Sequence, residues 1–309
     1  MEHTHFDVER DGFYGAYWPC PSGASCALIA MLGDDPEDHM ARSAVKWLQR
    51  RGVNVLTMSP GKKDYSHHNY PLERIETAIA WLKAHGNERV GIAGALTTGT
   101  LALTAASMFP ELTLTIAMTA SDFVWQGFAQ GKKDGCKEWP IPVERIQGKL
   151  LMIGAADDTL WDAAKYIRRM EARLAEKPHS CAVEAAVYEH GTHFVFPQSM
   201  LETMLPIGAD LFVKRAFRAA KQYPKECRAA REDIERRMVA AFILNVPVRP
   251  DVDRLTDYYA RAMMTGPMRW FCRKSGRKKF TEADLAGMRA TAKLRAADRN
   301  PLFVGHGSL

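Results

Sequence analysis

RVGIAGALTTGTLALTAASMF, from Arg89 to Phe109, joins a strand pattern to a helix pattern across a tight turn. RVGIAG is a short apolar run containing Val90 and Ile92, the pattern of a buried strand. TGTLALTAASMF reads as the helix behind it. Between them lies Gly94-Ala95-Leu96-Thr97-Thr98-Gly99, and the small Gly94, Ala95 and Gly99 suit a crowded turn. A sharp strand-to-helix turn of this kind pushes one side chain up over the sheet. The helix start behind it offers backbone N–H groups and a positive dipole end to an anion. Nucleophile elbows have this form, with Ser or Cys at the tip. Here the tip is Leu96, which has no atom that can attack a carbonyl.

The neighbouring segments repeat the alternation. CALIAML (Cys26 to Leu32) is an apolar run ending at Gly33. EDHMARSAVKWLQRR places Met40, Ala44, Val45, Trp47 and Leu48 at helical spacing, and Gly52 stops it. VNVLTM, LTLTIAM, KLLMIG and CAVEAAVYE read as further strands. PLERIETAIAWLKAHG and WDAAKYIRRMEARLAE read as helices. Strand and helix alternate, so the predicted class is α/β, a doubly wound, mostly parallel sheet covered on both faces. From about Met200 the pattern is helical. NVPVRPDVDR reads as a linker. The expected organisation is an α/β domain over residues 1–245 and a basic helical extension over 246–309, its excess charge concentrated in RWFCRKSGRKK (Arg269 to Lys279).

Composition agrees with a globular chain. A hydrophobic fraction of 47% and a charged fraction of 25% are those of an ordinary globular protein with a sizeable core. The N-terminal MEHTHFDVERDG is polar, without the apolar stretch of a signal peptide, and no later run reaches the length of a membrane span. Cys20, Cys26, Cys136, Cys181, Cys227 and Cys272 are scattered without a CxxC pair, so reduced thiols and a cytoplasmic location are expected. A net charge of +6 is too mild to indicate a nucleic-acid partner by itself. No membrane partner, cofactor or metal is expected, and an oligomer is left open. The adjacent His67 and His68 lack further ligands at useful spacing.

In a parallel sheet the chemistry gathers at the carboxyl ends of the strands. RVGIAG runs into Leu96. KLLMIG runs into Asp157 and Asp158. CAVEAAVYE runs into His190-Gly191-Thr192-His193. The chain order is turn, acid, histidine, the nucleophile–acid–His order of α/β-hydrolases. By position alone, Asp158 could equally cap the helix that follows, and either histidine could be a hydrogen-bonded loop residue.

VGIAGALTTGTLALTAASMFPELTLTIAM, SDFVWQGFAQGKKDGCKEWP, GKLLMIGAADDTLWDAAKYIRRM and VYEHGTHFVFP together resemble one family. It is the acyl-CoA thioester hydrolase / bile-acid-CoA:amino acid N-acyltransferase C-terminal domain family, among the dienelactone-hydrolase-like α/β-hydrolases. The resemblance spans roughly residues 10–245. It implies an α/β-hydrolase fold and a small-molecule ester or acyl thioester substrate. It places the nucleophile position on Leu96, the acid on Asp158 with Asp157 as its neighbour, and the base on His193 rather than His190. It places the oxyanion hole on the backbone of Gly33, Asp34 and Thr97. Leu96 departs from the pattern. Either the chain is a substituted form of an active enzyme, or it is a pseudo-hydrolase that keeps the pocket for binding or scaffolding. Three other features carry less chemistry. Lys62, Lys63, His67 and His68 lie on a loop that could rim the mouth but reads first as a solvated loop, Cys136 lacks the strand–turn–helix setting of a nucleophile, and Thr97 and Thr98 read as the start of a helix.

Overall fold

The computed structural model describes residues 2–33, 35–60, 70–125 and 138–242. The expected apolar runs form β3 (Cys26–Met31), β4 (Asn54–Met58), β5 (Arg89–Ala95), β6 (Leu112–Met118), β9 (Lys149–Ala155) and β10 (Ala182–Tyr188). These six pair in parallel, in the order β4-β3-β5-β6-β9-β10. Two elements extend the sheet beyond what the apolar runs indicate. β1 (Thr4–Phe6) and β2 (Gly15–Trp18) add antiparallel to the β4 edge, completing an 8-stranded sheet among the described residues. β7 (Phe123–Trp125) and β8 (Glu138–Pro140) make a separate two-stranded ribbon.

Both faces of the sheet are covered. Alternate strand residues such as Ile29, Leu56, Ile92 and Met152 join a core with α3 (Glu73–Ala84), α4 (Thr97–Met108) and α5 (Ala163–Glu176). The intervening residues Leu28, Val55, Ala93 and Ile153 are equally buried. Burial of both alternating sets explains why these strands read as continuous apolar runs. α2 (His39–Gln49), α6 (Gln198–Met204) and α9 (Pro224–Phe242) pack on one another and on the strands. The short α1 (Val8–Asp11) precedes β2, and α7 (Ala209–Ala216) and α8 (Arg218–Gln222) complete the helical run after β10. No described helix is long and apolar enough to cross a membrane.

Polar contacts fix α9, the last of the described helices. The buried Arg51 guanidinium pairs with Glu235 at 2.8 Å and lies 3.8 Å over the Trp47 ring, joining α2 to α9. Along edge strand β10, Arg237 bridges Glu184 and Asp233, and the Tyr188 hydroxyl donates to Asp233 at 2.7 Å. Charges along an edge strand also block pairing with another chain. The compact unit that contains every described residue runs from Met1 to Pro247. The extension expected over 246–309 lies outside the described residues.

Burial by itself would raise the Asp233 pKa, but hydrogen bonds from Arg237, Tyr188 and Arg236 outweigh it and hold the carboxyl at about 2, below its ordinary 3.8. A depressed pKa stabilises the fold above the unfolded value and stops doing so as the pH falls through the folded one. Asp233→Asn should therefore cost on the order of 1 kcal/mol at neutral pH, allowing for solvent screening. The gap from the parent should close as the pH falls from about 4 to about 2, as read from urea unfolding midpoints.

Candidate active site

The chain leaves β5 and enters α4 through one residue. Leu96 has φ 59° and ψ −123°, the mirror image of the extended region, which glycine alone enters without strain. The Leu96 N–H donates to the Met118 carbonyl at 2.9 Å, and the Thr100 N–H donates to the Leu96 carbonyl at 3.0 Å. Thr98 Oγ1 accepts the Ala95 N–H at 2.9 Å and lies 2.8 Å from the carbonyls of Met31 and Ala95, to either of which its single proton can go. The turn is thus tied to β6 on one side and to the end of β3 on the other. It is also too tight for a side chain at Gly94, where a Cβ would stand 2.2 Å from the Thr98 carbonyl oxygen.

The parallel register brings the acid and the histidine to the same edge. Ala95 lies beside Met118, Met118 beside Ile153, and Ala155 beside Tyr188. The turns after β5, β9 and β10 therefore leave the sheet together. Asp158 Oδ2 lies 2.7 Å from His193 Nδ1, and the two side chains are 0% and 9% exposed. Asp158 Oδ1 accepts the N–H groups of Leu160 at 2.9 Å and Trp161 at 3.2 Å. A carboxylate only accepts, so Nδ1 carries the proton and Nε2 is left as the basic nitrogen. Asp158 does not cap the following helix; Asp162 does, accepting from the Lys165 N–H.

Residues 128–200 match the family model described as BAAT / acyl-CoA thioester hydrolase C terminal. Among solved structures, a putative dienelactone hydrolase from Klebsiella pneumoniae superposes with a TM-score of 0.52 at 14% identity, covering 79% of this chain and 98% of that one. MGS-M1, an α/β hydrolase enzyme from a Medee basin deep-sea metagenome library, superposes at 0.53 and 13% identity, covering 78% of this chain and 95% of that one. The chain has the α/β-hydrolase fold. No curated protein matches it. The family match takes in Asp158 and His193 but stops short of Leu96.

Within this α/β-hydrolase frame the remaining expectations can be placed. Gly33 follows β3 at φ 97°, and a Cβ there would meet Asp38 Oδ1 at 2.5 Å. Asp38 caps α2 through the Ala41 N–H, so the turn and the helix start share one carboxylate. Thr97 is the first residue of α4, where a helix N–H has no partner within its own helix. Asp34, Lys62, Lys63, His67, His68 and Cys136 lie outside the described residues. Among the described residues no group of His, Cys, Asp and Glu is arranged to hold a metal ion.

One feature has no signal in the sequence beyond its doubled residues. His190 and Asp157 form a second pair, His190 Nδ1 to Asp157 Oδ2 at 2.9 Å, with side chains 31% and 41% exposed. Exposure separates the two pairs, and it is the Asp158–His193 pair that is enclosed.

The backbone at Leu96 makes a measurable demand. In ordinary helix or strand interiors glycine is less stable than alanine by about 0.5–1 kcal/mol. At this position the order should invert, with Leu96→Gly more stable than Leu96→Ala by about 1 kcal/mol in urea unfolding, because only glycine relieves the strain.

Proposed function

We propose that this chain carries an ester- or acyl-thioester-hydrolase site whose base and acid are His193 and Asp158 and whose nucleophile position is filled by Leu96. The carrying observation is the buried 2.7 Å Asp158–His193 bond at the carboxyl edge of the sheet. A carboxylate in that place orients the imidazole and stabilises its protonated form after it takes a proton. The strained turn at residue 96 supports the assignment of the tip. Gly33, Asp34 and Thr97 would provide the backbone N–H groups of the oxyanion hole. The described cysteines Cys20, Cys26, Cys181 and Cys227 are free thiols, which supports a cytoplasmic setting.

Leu96 offers no attacking oxygen or sulfur at the tip, so the reaction is lost or much reduced in this chain. A second reading follows from the same leucine: a non-catalytic protein that keeps the pocket for binding. Leu96→Ser separates the two. On the first reading, hydrolysis of p-nitrophenyl acetate or acetyl-CoA should rise at least about a hundredfold, and adding His193→Ala should remove the gain. A folded Leu96→Ser protein that gains no activity toward either substrate would leave the binding reading standing.

A further inference from the structure

The Asp157–His190 pair belongs to a larger arrangement outside the proposed chemistry. The His190 ring stacks on the Tyr223 ring with centroids 3.8 Å apart and planes 13° from parallel. The Cys227 thiol lies 2.9 Å from the His190 carbonyl oxygen. Burial raises the Cys227 pKa, so the thiol stays protonated and donates. Tyr223 and Cys227 sit at the corner between α8 and α9, where the Cys227 N–H donates to the Tyr223 carbonyl at 3.0 Å. His190 therefore ties three segments together: the loop after β9, the loop after β10 and the α8–α9 corner.

These ties bear on His193. Residues 189–197 run from β10 to α6 without helix or strand, so side chains set their course. His190 and His193 stand three positions apart on this loop, and Asp157 and Asp158 are adjacent on the facing one. Two Asp–His bonds thus join the same two loops. One bond permits the loop to pivot about it, and two do not. The outer pair is the one reached by solvent.

Resting on the reading of His193 as the base of the site, we propose that Asp157 and His190 are positioning residues, an outer dyad that holds the β10 loop, from the α8–α9 corner, in the course that keeps His193 Nδ1 on Asp158. The groups facing His190 are Asp157, Glu189, Glu226, Tyr223 and Cys227. The hydrogen bond to Asp157 raises the His190 pKa above its ordinary 6.5, with smaller contributions from the charges of Asp157, Glu189 and Glu226.

The test reads one proton in the full chain: the His193 Nδ1–H, followed by NMR with 15N-labelled histidine. In Asp157→Ala its exchange with solvent should be at least tenfold faster than in the parent, while backbone amides of β9 and β10 keep their protection. Asp157→Asn, whose side-chain oxygen still accepts from His190, should restore exchange to within twofold of the parent. Should Asp157→Ala fail to fold, the same comparison is made between His190→Ala and His190→Gln, the glutamine amide still donating to Asp157. An unchanged His193 proton in the alanine variant overturns the proposal, as does an amide variant that behaves like the alanine one. Neither result depends on hydrolysis. An inactive Leu96→Ser protein would count against the function proposed above while leaving this measurement intact.

Discussion

The single-residue turn at Leu96 is the constraint around which the sheet edge is organised. Its φ of 59° costs a non-glycine residue on the order of 1–3 kcal/mol. The strain is sustained from outside the side chain. α4 buries Leu101, Ala102, Leu103, Ala105 and Ala106 in the core immediately after the turn. Each large apolar side chain buried there contributes about 1.5–3 kcal/mol, so the helix position prevails over the turn's preference. The Met118 carbonyl and the Thr98 hydroxyl then fix the turn against β6 and β3. The backbone course therefore does not depend on what residue 96 is. A leucine and a serine would be held up over the same sheet edge, so on the proposed reading the fold of a hydrolase and the presence of its nucleophile come apart in one chain.

What could be read from the sequence follows the range of the interactions. β3, β4, β5, β6 and β9 are buried on both faces, so each announces itself as an apolar run. β1 and β2 do not. Thr4 and His5 are exposed, and β2 is placed by pairing with β4 and by the Trp18 indole donating to Thr57 across 39 positions of chain. The two three-residue strands β7 and β8 likewise owe their existence to each other. The candidate tip, acid and histidine stand out in the sequence because each lies a few residues past the end of a recognisable strand. Only the family resemblance favours Asp158 over Asp157 and His193 over His190 at the level of sequence. The structure adds a physical difference between the candidates, since both acids do pair with a histidine. Nothing in the local pattern tells that Tyr223 and Cys227, more than thirty positions further on, meet His190.

The two Asp–His pairs carry the same groups in different solvents, and that difference assigns their parts in the proposed site. An exposed pair gains little from its charges, because water screens them and two side chains must be held still. An enclosed pair must recover a desolvation cost, and does so only when its remaining hydrogen-bonding capacity is met. Asp158 meets it: His193, Leu160 and Trp161 supply its three donors. The imidazole it holds is consequently fixed in tautomer and in direction. Asp157 and His190, half in water, could not hold a base with that constancy, yet their bond, the Tyr223 stack and the Cys227 thiol need only oppose movement of a loop. On the proposed reading the site thus divides its labour by burial. The inner pair sets the chemistry of one nitrogen, and the outer pair sets where the backbone that carries it can go.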